Sequence, residues 1–422
     1  MNAKLFSAFI KFLSIIVGFF SNFYLASLLS KNDFGLYSVI VSLLSLCLVF
    51  SNMGLSLSII DLFPKAQTIT NLKLLRRKIW FYSVCSSVIV GSVAAFYTIL
   101  TGMVSPEKSV LLVVLVLIVL FQNIHSSNIA ILRSLQSFRL ALSIESITFN
   151  LVLVLSIYLL FSEDIADLFI SFLLAAFLAF ALSSLFSYYK VAKFPQGIIE
   201  KEDTQPLELN FVKLWPFILL GLVEVVTTNL DVLLVREFYG NEETANYFLA
   251  KKMLIVFTFF WFVYNFIYTP KLSKLFVNSE KVNHTAVVSI LKLKWPVLMA
   301  STCCMVIANI FFEDIISLFN LNDYLDAKPY LLLFSLFAFI HILTGPVVSF
   351  LNVTGLSSYS FRVVSFGALV FLTTFYPLQS YFGVLGILIA LNLSLLAWKI
   401  LGVYIIRKTT GFNLLAGSYI GE

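Results

Sequence analysis

The sequence predicts an all-α integral membrane protein, with about twelve transmembrane helices in two six-helix bundles and both termini in the cytoplasm. Three observations predict it. Of 422 residues, 60% are hydrophobic and 12% charged, which leaves too little polar surface to cover a soluble core. The apolar residues fall in blocks of about 20, long enough at ~1.5 Å per residue to cross a ~30 Å hydrocarbon layer. The basic residues lie beside these blocks rather than in one stripe, so the net charge of +6 is a topology signal and not a nucleic-acid footprint.

Block lengths, charges and turn residues place the first six helices near 9–30, 35–60, 79–101, 109–131, 140–161 and 165–189. The second six fall near 214–235, 245–268, 288–312, 330–352, 359–378 and 383–406. A cleavable signal peptide is the other reading of residues 1–30, but the run from Phe12 to Leu29 has membrane-spanning length and a further span follows at once. An uncleaved first helix is expected. Cys47, Cys85, Cys303 and Cys304 sit inside apolar blocks without metal-ligand spacing, and read as small core residues.

With the N-terminus inside, 22 of the 28 Lys and Arg fall on the cytoplasmic side, among them Lys73, Arg76, Arg77, Lys78, Arg407 and Lys408. Only Lys31, Lys108, Arg236 and Lys328 fall in outer loops, and Lys251 and Lys252 fall within an outer helix end. That bias orients helices during insertion.

The longest cytoplasmic connection carries Pro195, Gly197, Pro206 and the run Glu200-Lys201-Glu202-Asp203. It divides the chain into a bundle over 1–190, a linker over 191–213 and a second bundle over 214–422. An offset of 210 residues lays Gly35-Leu36-Tyr37 on Ala245-Asn246-Tyr247, and Lys11, Ser14, Gly18 and Ser21 on Gly221, Glu224, Thr228 and Asp231. An even helix number per half makes this a parallel repeat about an axis along the membrane normal.

Ionisable side chains inside a bilayer cost about 2.5–3.5 kcal/mol each on insertion scales, so they face protein or water. Helix 7 carries Glu224 and Asp231 two turns apart, and helix 8 carries Lys251, Thr258 and Asn265 at seven-residue spacing. Helix 2 has Gly35, Ser38, Ser42, Ser45, Asn52 and Ser56 on one stripe. Such faces line a hydrophilic cavity or simply pack helices through small residues. Glu224 and Asp231 serve ion coupling or neutralise Lys251 and Lys252. The two lysines bind an anionic substrate or snorkel to the outer interface. His125, Glu145 and His341 are isolated candidates for proton relay or cation binding, with Arg139 the expected partner of Glu145.

No G-x-x-x-x-G-K-[ST], H-E-x-x-H or G-x-S-x-G string occurs, and no outer loop is long enough for a folded catalytic domain. No enzymatic activity and no cofactor are expected, and the driving energy must come from a gradient, the membrane potential or substrate supply.

The stretch Leu28-Leu29-Ser30-Lys31-Asn32-Asp33-Phe34-Gly35-Leu36-Tyr37 resembles the opening of bacterial polysaccharide exporters of the O-antigen flippase type. Leu132-Arg133-Ser134-Leu135-Gln136-Ser137-Phe138-Arg139, Asn229-Leu230-Asp231, Gly345-Pro346, Asn352-Val353-Thr354-Gly355 and Tyr381-Phe382-Gly383-Val384-Leu385-Gly386 are similar to later stretches of that family, in order along nearly the whole chain. Ala245-Asn246-Tyr247 departs from the family's Gly-x-Tyr, and the resemblance carries no role over to Glu224. The resemblance implies two six-helix bundles in alternating access, and an undecaprenyl-diphosphate-linked oligosaccharide as cargo in the inner membrane. It also implies a polysaccharide polymerase and a chain-length regulator as partners beside membrane lipids.

On that reading Lys251 and Lys252 attract the diphosphate, Lys11 does so nearer the cytoplasmic mouth, and Tyr247, Trp261 and Asn265 contact sugar. Glu224 or Asp231 couples transport to protonation. A cation- or proton-coupled multidrug antiporter of the same superfamily is the nearest rival. A membrane polysaccharide polymerase is the second, although such enzymes need a large catalytic outer loop.

Overall fold

A backbone can enter hydrocarbon only if its polar groups are satisfied within the segment, and this chain is helical almost throughout. A computed structural model describes residues 3–52, 54–56, 59, 63, 69–102, 110–135, 137–160, 165–193, 211–277 and 283–419. Side chains are described for these except at 3–12, 14–15, 138, 139, 146, 147, 211–228, 266, 270, 274, 277 and 357.

The elements run α1 (Ala3–Leu28), α2 (Lys31–Asn52), α3 (Ile69–Leu100), α4 (Val110–Ser134), α5 (Phe138–Ser143), a π-helical turn (Ile144–Thr148), α6 (Phe149–Leu160) and α7 (Ile165–Ala192). Then follow α8 (Phe211–Val277), α9 (His284–Lys292), α10 (Lys294–Ile310), α11 (Phe312–Leu318), α12 (Lys328–Leu343), α13 (Val347–Val353), α14 (Ser357–Phe382) and α15 (Val384–Thr410). A two-residue antiparallel hairpin, β1 (Phe412–Asn413) and β2 (Ser418–Tyr419), closes the chain. Among the described residues nine helical segments are long and apolar enough to cross a membrane, and Ile16–Leu28 and Phe149–Leu160 are shorter apolar helices.

Boundaries differ from expectation where local chemistry decides them. Helix 3 begins at Ile69 rather than 79, because Leu72, Leu75 and Ile79 share one buried face of its basic first turns. The helices expected at 214–235 and 245–268 follow one another without a loop, and α8 is two helical stretches that meet at a kink at Gly240 (φ 81°). The helix expected at 330–352 is two, α12 and α13, because Gly345 (φ 82°) and Pro346 interrupt it.

Two compact units emerge, and neither is a single stretch of chain. Unit 1 comprises Met1–Ser21 and Ile40–Val225, and unit 2 comprises Asn22–Val39 and Val226–Glu422. The end of α1 and the start of α2 therefore belong with the second half of the sequence. Gly35 shows why a glycine stands there: a Cβ would lie 1.9 Å from the Asn241 carbonyl oxygen. Beside it Phe34 meets Phe248 edge-on at 5.9 Å, and the Asn241 amide donates to Asn32 Oδ1 at 3.1 Å. The two segments read as repeat counterparts thus pack within one unit.

Unit 1 is organised on α4, which packs against α3 and α7. The buried face of α4 is polar at three positions, Asn123, Ser127 and Asn128. Asn123 donates to the Ser51 and Ser83 carbonyls at 3.2 Å and to Ser87 Oγ at 2.9 Å. Asn128 donates to Ser184 Oγ at 2.9 Å and accepts from Ser187 at 3.0 Å and from the Trp80 indole at 3.3 Å. Hydrogen bonds of this kind join helices where lipid removes the hydrophobic drive between them.

Candidate substrate and coupling sites

In unit 2, α8 turns at Gly240 so that Asp231, before the turn, meets residues after it. Asp231 is 1% exposed. Lys251 Nζ donates to both of its carboxylate oxygens at 2.7 Å, and the Tyr247 hydroxyl donates to Oδ2 at 2.6 Å. A lone carboxylate here would be strongly disfavoured, and the ammonium and phenol together supply the charge and hydrogen bonds that hold it. Tyr247 is fully buried and packs edge-on against Phe334 at 5.3 Å.

Lys252, the next residue, differs. Its Nζ lies 4.3 Å above the Phe248 ring, and among the described residues it makes no ion pair.

Farther along α8, Trp261 is 4% exposed, stacked on Tyr264 at 5.1 Å and edge-on to His341 at 5.8 Å. The rings of Tyr247 and Trp261 are thus occupied by protein partners. Among the described residues Asn265 leaves its buried Oδ1 without a hydrogen bond, and His341 does the same with Nδ1. Lys11 and Glu224, expected in substrate binding and ion coupling, have side chains outside the described residues, so the structure brings together only Asp231, Tyr247, Lys251 and Lys252 of the expected set.

Two lysines that the sequence reading counted only as cytoplasmic-side charges form a second centre in unit 2. Lys294 is fully buried and Lys399 is 2% exposed. Lys399 Nζ donates to the Gly345 carbonyl at 3.0 Å and to that of His341 at 3.3 Å. Lys294 Nζ donates to the Leu343 and Leu415 carbonyls at 2.8 Å and to Leu414 O. Both ammonium groups sit where α12 ends, the negative end of its dipole, and they satisfy carbonyls that the break at Gly345-Pro346 frees. A lone lysine inside an apolar block, as Lys399 is, was the sequence signal available.

In unit 1, Glu145 sits in the π-helical turn and pairs with Arg133 at the end of α4; Arg139, the partner expected from the sequence, has its side chain outside the described residues. His125 Nδ1 lies 3.0 Å from the Ala179 carbonyl. His125, Glu145 and Arg133 line one cavity of about 340 Å³ together with Gln122, Ser126 and Phe149. The cysteines are free: Cys47 is buried, Cys304 half-buried, and Cys85 and Cys303 exposed.

Long apolar helices that carry buried charges, with breaks at Gly240 and Gly345, define a multi-pass membrane protein. A lipid II flippase MurJ in an inward closed conformation shares the fold at a TM-score of 0.69 and 17% identity, over 96% of this chain and 87% of that one. So does an inward-facing multidrug resistance MATE transporter of the MOP superfamily, at 0.65 and 13% over 96% and 99%. An outward-facing MATE transporter matches at 0.60 and 16% over 96% and 95%. No curated protein sequence matches the chain. The family described as polysaccharide biosynthesis protein matches residues 4–276, and the chain belongs to that family.

Proposed function

We propose that this protein translocates an undecaprenyl-diphosphate-linked oligosaccharide across the bacterial inner membrane by alternating access, supplying O-antigen or another surface polysaccharide. In this reading the chain crosses the membrane twelve times in two six-helix bundles, with both termini cytoplasmic. The polymerase and chain-length regulator of the same route act beside it. The observation that carries the cargo assignment is Lys252, an ammonium on an apolar helix with no ion pair among the described residues. A charge so placed has a use if a diphosphate is to be held there.

Lys251 sets the geometry of that site through Asp231. Asn265 offers an amide with an unused oxygen to sugar hydroxyls. Lys11 and Glu224 complete the proposed path, the first as a cytoplasmic-side phosphate contact and the second as a protonation site. Membership of a polysaccharide biosynthesis family supports the sugar part of the cargo. The lipid part is supported by a fold shared with a flippase.

The test is complementation of a flippase-deficient strain that carries this protein's own pathway enzymes, at matched membrane abundance. Wild type is expected to restore surface polysaccharide, Lys252→Ala to lose most of it, and Glu224→Gln to be impaired. A well-expressed wild type that restores nothing overturns the assignment. The MATE-like fold then favours a cation-coupled multidrug antiporter, with Asp231 as the cation ligand once Lys251 releases it.

A further inference from the structure

The unit 1 cavity lies outside the proposed diphosphate site and is lined by side chains with unused hydrogen-bonding capacity. The Gln122 amide makes no hydrogen bond among the described residues, although it faces the cavity. His125 Nδ1 lies against a carbonyl oxygen, which can only accept, so Nδ1 carries the proton and Nε2 of the neutral ring is left as an acceptor. Glu145 uses Oε2 on Arg133, which leaves Oε1 without a hydrogen bond among the described residues. Three groups on α4 and the π-helical turn thus converge on one space, with the Phe149 ring as an apolar wall.

Charge selects the ligand class. Arg133 and Glu145 neutralise each other within the lining, so the cavity offers neither a net positive nor a net negative charge to an ion. What remains is a set of directional acceptors, an amide that both donates and accepts, and a ring face. That combination fits a neutral polyhydroxyl ring, whose hydroxyls donate and accept while its C–H face packs on an aromatic. A volume of about 340 Å³ suits one or two such rings.

Hydrogen bonds within the lining hold it in place. The Asn52 amide donates to Ser56 Oγ at 3.0 Å, and Ser56 and Ser126 hydroxyls meet at 3.3 Å. The π-helical turn is the local irregularity that carries Glu145, and such turns recur at functional sites.

We infer that this cavity is a saccharide subsite: it takes one neutral sugar residue through Gln122, His125 Nε2 and Glu145, with Phe149 under the ring. The inference rests on the cargo reading above and assigns part of the glycan to unit 1.

The chain has three histidines, so ¹⁵N-histidine labelling in nanodiscs gives a spectrum in which His125 is assigned by its loss in His125→Gln. Methyl glucoside, methyl galactoside and N-acetylglucosamine are titrated separately, with sodium and potassium chloride as ionic arms. At least one sugar is expected to shift the His125 signal saturably and leave His284 unmoved. Gln122→Leu is expected to weaken that response about tenfold, the loss of one hydrogen bond to a desolvated partner. A response to the salts and none to the sugars overturns the inference in favour of a cation site, and silence to all of them overturns it in favour of a hydrated gap. Flipping of lipid-linked oligosaccharide in proteoliposomes is scored in parallel. Flipping that Gln122→Leu leaves at wild-type level removes the subsite and keeps the cargo reading, whereas a sugar response without flipping keeps the subsite and removes the cargo reading.

Discussion

At the scale of single residues, the contrast between two ion pairs shows what burial does. Glu313 and Lys328 meet at 2.7 Å with both side chains largely in water, where such pairs contribute little. The Lys328 hydrogen bond and charge hold the Glu313 carboxyl below its ordinary range, so the small contribution is present above that range and fades as pH falls through the lowered value. Asp231 and Lys251 have no such screening. Lys251→Met leaves a buried carboxylate with Tyr247 as its remaining partner among the described residues, and is expected to lower stability by about 3 kcal/mol or more, while Lys251→Met with Asp231→Asn recovers much of that. Thermal unfolding of the single and double variants in detergent measures the difference, and a double variant no better than the single removes the pair as the cause. Gly35 gives a second prediction. Since its missing Cβ would overlap the backbone of Asn241, Gly35→Ala must push α2 away from α8, at about 2 kcal/mol. An unchanged melting curve would show that the contact yields freely.

At the scale of elements, the α12–α13 break and the terminal hairpin are one device. Lys294 binds carbonyls from both, Leu343 on one side and Leu414 and Leu415 on the other, and Phe412 and Leu414 pack in the cluster with Val347 and Phe350. Lys294→Met retains most of the apolar stem and removes the three hydrogen bonds. Amide exchange at 412–419 is expected to quicken roughly tenfold, for a local loss of about 1.4 kcal/mol, and exchange that stays slow would show that the apolar cluster alone holds the hairpin. None of this was legible in the sequence. Helix periodicity and length are local, so the spans and the polar stripe of α2 with its glycine at 35 could be read directly, whereas the buried polar face of α4 was not among the stripes read. Which carbonyl a buried lysine meets depends on where a helix breaks, and Gly345-Pro346 read as a helix interior until the structure showed otherwise. Asp231 with Lys251 was legible as one alternative because α8 carries both charges twenty residues apart, a separation that only the turn at Gly240 brings into contact. His125 and Glu145 were legible singly, but their shared cavity needed the π-helical turn, which leaves no periodic signature.

At the scale of the whole molecule, charge distribution and unit composition bear on one question, which ends of the helices face the cytoplasm. The basic first turns of α3 and the last turn of α15, with Arg407 and Lys408, carry the Lys and Arg excess that sets orientation during insertion. The turn around Gly240 and the segment Asn322–Ala327 carry Glu242, Glu243, Asp323 and Asp326 instead, and Lys31 donates to the Asp323 carbonyl at 2.7 Å, which joins the turn between α1 and α2 to the later one. These positions should therefore share a side of the membrane. With Cys47, Cys85, Cys303 and Cys304 replaced, single cysteines at the exposed positions Glu242, Asp326, Arg77 and Lys408 report it through a membrane-impermeant maleimide. Glu242→Cys and Asp326→Cys are expected to react in intact spheroplasts, and Arg77→Cys and Lys408→Cys only after permeabilisation. The reverse pattern inverts the topology and moves Lys252 to the opposite leaflet. A mixed pattern within the Glu242 and Asp326 pair removes the even helix count on which the twelve-crossing reading depends.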